Sequence, residues 1–428
     1  MTLFLFCSLA MMLALSFPIF IALSASVLAV FFLFGDVPFV TVVMRMFAGI
    51  DKFALMSIPF FVLAANIMSV GGISSRIINL ANALVGSFHG GLGIATVLAS
   101  MFFGAISGSS PATVVAIGGL LFPAMLKEGY PKPFATGIIT SAGSLGIIIP
   151  PSVNMIVYGA ITGVSVGALF VSGFGAGVIF GVFLMGYVYL KAKRSFNIPR
   201  APKADIRAVW AGIRDAAWGL GVPVIIIGGI YGGVFTPTEA AAVSVIYALL
   251  VSVLAYREVT LKELYRTLVS SAVTTAQVMI VLAAASVFAW ILTAEGITMA
   301  IAERMIAVSQ NPYMILLMIN IIVLIAGMFI DGASITVILA PLFYPIAVRA
   351  GIDPIHLGIV IVVNSAIGMY TPPFGLNLFV ATGVTGQPLS RATRGIFPFI
   401  CVSIMALILI TYIPEISLWL PRRIYGAW

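Results

Sequence analysis

Two stretches decide how this chain is built: SAGSLGIIIPPSVN at 141–154 and NSAIGMYTPPFGLN at 364–377. Each sits inside a long apolar segment, and each carries a Pro-Pro pair. Proline lacks the N–H that a helix ladder needs and pushes the residue before it out of the α region. A helix entering either stretch must break there. The two breaks coincide when the sequence is shifted by 222 residues, which lays Pro150-Pro151 on Pro372-Pro373, Gly146 on Gly368 and Ile139 on Ile361. Working outward without a gap, Gly129 meets Gly351, Pro123 meets Pro345 and Val115 meets Val337. Gly and Pro carry backbone constraints, so their coincidence is better evidence of a duplicated unit than matching Leu or Val. With an odd number of crossings per unit, the two copies lie upside down relative to each other.

The surroundings are those of a membrane protein. The chain has 428 residues, is 62% hydrophobic and is 8% charged, against about 25% charged in a soluble domain. Residues 77–126, 133–190 and 354–390 contain no Asp, Glu, Lys or Arg. Runs of that length must recross the bilayer. They also lack the alternation of β-barrel strands. The expected fold class is therefore an all-α polytopic membrane protein with an inverted repeat. The N-terminus, MTLFLFCSLAMML, has no basic n-region and reads as a first span. Cys7 and Cys401 lie in apolar segments and need not pair. A net charge of +8 reports topology rather than nucleic-acid binding, since Lys and Arg collect in cytoplasmic loops.

The basic stretch 191–215 divides the chain into a first repeat (1–190) and a second (216–428) and is placed in the cytoplasm. Each repeat has the same expected parts: scaffold helices, a re-entrant hairpin (about 90–127; about 312–350) and a broken helix (about 133–162; about 354–384). The hairpin arms are short for full crossings. Thr236-Pro237-Thr238-Glu239 has the form of a capping box opening a span. Residues 260–272 read as an amphipathic helix lying on the membrane surface.

The polar breaks are the candidate site. Irregular backbone at membrane depth is tolerated where it is buried in protein or lines a cavity. Unwound carbonyls suit Na⁺, and helix N-termini suit an anion. The first hairpin tip is Ser107-Gly108-Ser109-Ser110, and the second is marked by Asp331, Gly332 and Ser334. Ser110-Pro111 and Thr371-Pro372 read as N-cap and N1 pairs. Thr113, Asn154, Thr336 and Asn377 add short polar groups near the breaks. Each hydroxyl has an ordinary alternative, bonding back to its own helix or permitting close packing. Asp331 is the only acid between Glu303 and Asp353; its alternatives are Na⁺ coordination, proton coupling and capping of the second arm. His356 reads as an interfacial side chain with no special role. There is no P-loop, no metal-type Cys or His spacing and no catalytic constellation, so the chain reads as a non-enzyme without cofactors.

The motifs GAISGSSPATVVAIG (104–118), IIIPPSVNMIVYGAITGVSVGALFVSGFGAG (147–177), GVFTPTEAAAVSVIYAL (233–249), GMFIDGAS (327–334) and YTPPFGLNLFVATGV (370–384) resemble the large membrane (M) subunit of tripartite ATP-independent periplasmic (TRAP) transporters. The resemblance runs from about residue 5 to about residue 420. It implies an elevator-type transporter of the ion-transporter superfamily in the bacterial inner membrane. Such a protein couples Na⁺ entry to uptake of an organic anion, a sialic acid or a C4-dicarboxylate. A periplasmic binding protein (P subunit) delivers the substrate, and a small four-helix membrane subunit (Q subunit) joins the scaffold as a separate partner. One Na⁺ is implied between Ser107, Gly108, Ser109 and Gly146, Ile149, Pro151. A second is implied between Asp331 or Ser334 and Gly368, Met369, Thr371, Pro373. The substrate is implied near Ser110, Thr113, Asn154, Thr336 and Asn377. No Lys or Arg lies at these tips or breaks. The competing readings are a divalent-anion carrier that needs no binding protein, and an ion channel subunit.

Overall fold

The structure, a computed structural model of the chain, describes residues 1–15, 17–34, 38–196, 198 and 206–426. Among these residues every regular element is a helix, and nine helices are long and apolar enough to cross a membrane. The chain is a multi-pass membrane protein. Large side chains such as Trp210, Val224 and Leu254 stand exposed along these helices, as expected where lipid replaces water as the solvent.

The duplication extends to the element boundaries. The first hairpin consists of an entering arm, Gly91–Ser107, and a returning arm, Ser110–Lys127. The second consists of Pro312–Gly327 and Gly332–Arg349. A shift of 222 carries the returning arm's bounds, 110 and 127, onto 332 and 349, the bounds of its counterpart. The first broken helix comprises Lys132–Gly143, the short turn Leu145–Ile148 and, after the break, Val153–Thr162. The second comprises Pro354–Gly368 and Leu376–Thr385. The Pro150-Pro151 and Pro372-Pro373 bonds are both cis, and Gly129 and Gly351 both have positive φ, at 86° and 73°.

The packing runs across the halves. The second segment of each broken helix lies against the returning arm of the other repeat: Val153–Thr162 on Gly332–Arg349, and Leu376–Thr385 on Ser110–Lys127. The broken helices form the centre. In the span Lys132–Thr162, 78% of the most apolar window is buried, against 33% in Ile206–Tyr231.

Several local expectations change. The capping box forms as read: Thr236 accepts from the Glu239 N–H, and the Glu239 carboxylate accepts from the Thr236 N–H at 2.8 Å. Residues 260–272 are not a separate surface helix. Thr260 caps a 34-residue helix, Leu261–Ala294, whose first turns they form. An amphipathic start does not end a helix that meets no Gly, Pro or cap afterwards. The basic stretch 191–215 is helical at both ends, closing Val166–Ser195 and opening Ile206–Tyr231; positions 197 and 199–205 lie outside the described residues.

His356 is not a bare interfacial side chain. It is 2% exposed and belongs to a buried polar chain. Its Nε2–H donates to the Thr411 carbonyl at 3.0 Å, and its Nδ1 faces the Ser417 hydroxyl at 2.7 Å. Asn320 donates to the Thr411 hydroxyl at 3.0 Å and accepts from Asn364 at 2.8 Å. These bonds tie the second broken helix to Pro312–Gly327, Leu389–Tyr412 and the C-terminal helix Glu415–Tyr425. Asn320→Leu removes the side-chain partner of the Thr411 hydroxyl and one of the two acceptors of the Asn364 amide, which keeps the residue-320 carbonyl, and stability should fall by about 1 kcal/mol. Thermal unfolding of the detergent-solubilised variant checks this. An unchanged midpoint would show that the chain contributes nothing.

Candidate functional site

The first tip closes tightly on the first break. Gly108 ends the entering arm at φ 61°, a conformation that glycine adopts without a Cβ penalty. A Cβ there would stand 2.8 Å from the Pro151 carbonyl oxygen. A Cβ on Gly146 would stand 2.5 Å from the Ser109 carbonyl oxygen and would also strike the Thr113 hydroxyl. The Ser107 hydroxyl lies 3.1 Å from that of Thr113, and Thr113 donates to the Ser109 carbonyl at 2.8 Å. Hydroxyls of Ser107 and Thr113 and carbonyls of Ser109 and Pro151 therefore gather where two glycines remove side-chain bulk. Ile149 closes the short turn in extended geometry, at φ −85° and ψ 130°. All of these donors are neutral oxygens, the set that a hard monovalent cation prefers.

The N-cap of the returning arm is Ser109, not Ser110. The Ser109 hydroxyl accepts from the Ala112 N–H, which leaves Ser110 and Pro111 inside the first turn. That frees the Ser110 side chain, which is fully buried and accepts a hydrogen bond from the Asn377 amide. Thr371 is not an N-cap either. Its hydroxyl donates to the Ile367 carbonyl at 2.7 Å, and the following helix starts from Gly375 at φ 36°. Two prolines and the Phe374 turn delay the helix by four residues beyond the expected cap. Sequence reasoning passed over Ser152, the true cap of Val153–Thr162; it also donates to the Ile147 carbonyl at 2.6 Å.

The second tip is built differently. Asp331 caps the returning arm: its carboxylate accepts from the Ala333 and Ser334 N–H groups at 3.0 and 3.1 Å, and from the Ser334 hydroxyl. Among the described residues no hydrogen bond joins Asp331 or Ser334 to Gly368, Met369, Thr371 or Pro373. What meets the second break is the end of the entering arm. A Cβ on Gly368 would lie 2.5 Å from the Gly327 Cα, and the Gly375 N–H donates to the Met328 carbonyl at 2.9 Å. Inside the break, the Met369 and Thr371 carbonyl oxygens both stand 3.0 Å from where a Gly375 Cβ would be.

Of the residues expected near the substrate, three take part in two crossed contacts. Asn377, of the second broken helix, bonds Ser110 of the first tip. Asn154, of the first broken helix, lies directly over Gly332 of the second, where a Cβ would strike its amide nitrogen. Both asparagines are buried, and each keeps a polar atom without a partner: the Asn154 amide nitrogen and the Asn377 amide oxygen. Thr336 bonds back to the Gly332 carbonyl at 2.8 Å, the ordinary role of a helical threonine. Thr113 belongs to the first tip cluster rather than to this group.

The fold adds a cation that no motif indicated. Lys52 donates to the Ala160 carbonyl at 2.6 Å, in the last turn of Val153–Thr162. Burial pushes its ammonium below its ordinary pKa. The only sequence signal was its isolation: Arg45, Asp51 and Lys52 stand alone between Asp36 and Arg76.

Comparison with known proteins gives these elements their relatives. The sequence model of the family described as "Tripartite ATP-independent periplasmic transporter, DctM component" matches residues 6–416. The C4-dicarboxylate TRAP transporter large permease protein DctM of Rhodobacter capsulatus is 45% identical over 419 residues, covering 95% of each chain. The isethionate TRAP transporter permease protein DctMQ of Oleidesulfovibrio alaskensis is 41% identical over 96% of this chain and 65% of its own length. Among solved structures, the Alcanivorax borkumensis YdaH transporter superposes with a TM-score of 0.60 at 13% identity, over 89% of this chain and 87% of that one. That last likeness is one of fold alone.

Proposed function

From the premise that this chain belongs to the DctM family of tripartite ATP-independent periplasmic transporters, we propose that it imports a C4-dicarboxylate across the bacterial inner membrane, driven by Na⁺. Being a permease of this family, it is a transporter subunit and not an enzyme. The substrate class comes from the relatives named for C4-dicarboxylates, which align over nearly the whole chain. A sialic acid is the alternative cargo. The observation that carries the mechanism is the pair of crossed contacts, Asn377 on Ser110 and Asn154 over Gly332. Two buried amides with spare polar atoms sit at the start of the two returning arms: the unpaired Asn154 N–H can donate to a carboxylate, and the unpaired Asn377 oxygen can face the coupling cation.

The coupling ion is assigned first to the oxygens of Ser107, Ser109, Thr113 and Pro151 around Gly108 and Gly146, with Ile149 closing the turn beside them. In the second copy the Met369 and Thr371 carbonyls take the corresponding place, in the break between Gly368 and Pro373. Asp331 and Ser334 hold the arm beside it. The hairpins turn back within the bilayer and move with the broken helices as one body against a scaffold of the longer helices. The two repeats are inverted about the bilayer midplane. A periplasmic binding protein presents the substrate, and a small membrane subunit braces the scaffold. The DctMQ relative, of whose length this chain spans 65%, supports the second partnership.

Uptake of labelled succinate, fumarate and sialic acid into vesicles holding this chain, its small subunit and its binding protein tests the proposal. Expected is C4-dicarboxylate uptake that ceases when the inward Na⁺ gradient is collapsed. Uptake indifferent to Na⁺ would overturn the coupling. Uptake of sialic acid alone would overturn the substrate class.

A further inference from the structure

A cavity of about 340 Å³ opens between the link after Phe39–Ile50, the helix Leu261–Ala294 and the two helices that carry Asn154 and Gly332. One wall is the helix Phe39–Ile50 with Lys52 beyond it, together with the C-terminal half of Leu261–Ala294. The opposite wall is Ala160 and Ile161 of the first broken helix with Val337 and Pro341 of the second returning arm. These are the two helices that meet at Asn154 and Gly332. The cavity therefore lies between the proposed moving body and the proposed scaffold, a few residues along from the substrate region.

Its charge is one-sided. Arg45 lies on Phe39–Ile50 and Lys52 in the extended link that follows it, and both line the cavity. The Arg45 guanidinium lies over the Trp290 ring, 5.1 Å from its centroid, and Lys52 is anchored on the Ala160 carbonyl at 2.6 Å. Among the described residues neither cation has a carboxylate within ion-pair distance. The acids nearest in sequence, Asp51 and Glu295, are not among the lining residues. Phe39–Ile50 turns its other face outward, with Phe39, Val40, Val43, Met44 and Phe47 exposed. The apolar face meets lipid, and the cations are directed at the cavity. Two unneutralised cations held apart by an aromatic ring and a carbonyl anchor suit a ligand with two separated negative groups. The volume is at the small end of the ~300–1,000 Å³ usual for ligand sites. It suits a short diacid better than a bulky sugar acid.

We propose that Arg45 and Lys52 form a dicarboxylate-receiving site on the scaffold wall of this cavity, where the anion is held before or after it occupies the crossed tips. This rests on the organic-anion reading given above, and it explains how a site with no cation at its tips or breaks attracts a doubly charged substrate.

The test reads local charge without relying on transport. In the full-length chain with Cys7 and Cys401 replaced by serine, Thr293→Cys places a thiol on the cavity wall. Its labelling by anionic sulfonatoethyl methanethiosulfonate and by the cationic trimethylammonium analogue is compared. The anionic reagent should react at least about tenfold faster. That preference should vanish in R45Q/K52Q and persist in R45K/K52R, which separates loss of charge from misfolding. Succinate should slow labelling, and its uncharged diamide should not. Equal rates for the two reagents, a preference surviving R45Q/K52Q, or no protection by succinate would overturn the site. Charge preference and protection without succinate uptake would leave the site standing and remove the transport reading. Uptake without them would do the reverse.

Discussion

Gly368→Ala is expected to be among the most damaging single-methyl changes in this protein. The added Cβ would lie 2.5 Å from the Gly327 Cα and 2.8 Å from the Gly327 carbonyl carbon. Both are backbone atoms, so no rotamer change can clear the clash. The broken helix cannot retreat, because every residue from Ile355 to Ile367 is buried and interiors yield little. Overpacking of this kind costs roughly 1–3 kcal/mol or more. It also threatens the neighbouring bond from the Gly375 N–H to the Met328 carbonyl. We expect a lowered unfolding midpoint and little or no uptake. Gly327→Ala should behave alike, and the double variant should be far from additive, since both methyls contend for one gap. Gly119→Ala is the control: a Cβ there meets nothing within 4 Å, so both readouts should stay near those of the unmodified protein. A stable, active Gly368→Ala protein would show that the contact is loose.

The second large effect concerns Asp331. Its carboxylate takes two backbone N–H groups and the Ser334 hydroxyl at the start of the returning arm. Asp331→Ala removes that cap and should cost about 1–2 kcal/mol. Asn caps a helix about as well as Asp, so Asp331→Asn should keep the stability. If the carboxylate is a cap, Asp331→Asn should also keep the Na⁺ concentration for half-maximal uptake within about twofold of the unmodified value. A rise of tenfold or more in a well-folded Asp331→Asn protein would return the carboxylate to the ion.

Much of the architecture is legible in the sequence. Gly and Pro impose local backbone rules, so the Pro-Pro breaks, the Gly108 turn and the Thr236-Pro237 helix start were all visible in the residues themselves. So was the 222-residue relation. What failed was the fine placement of caps. Ser109, Ser110 and Ser152 are all acceptable N-caps by type, and only the actual turn decides which hydroxyl meets a free N–H. Thr371 failed because a threonine before proline has a second outlet, the carbonyl four residues back. His356, Asn320 and Thr411 were invisible as a group because hydrogen bonds between distant helices leave no local pattern. Lys52 escaped for the same reason: more than a hundred residues separate it from the helix end that it touches.

The crossed asparagines carry a consequence for inheritance. Asn377 completes a tip made of residues near 110, and Asn154 completes one made of residues near 332, so neither half holds a finished tip of its own. An ancestor encoding a single half would have had to associate with another copy of itself, each lending its amide to the other. Fusion of two such genes would make that exchange obligatory and would free the tips to diverge into a serine turn and an aspartate turn. A genetic selection should still detect the old trade: suppressors of a lesion at Ser110 should arise around Asn377, in the opposite half, rather than among sequence neighbours.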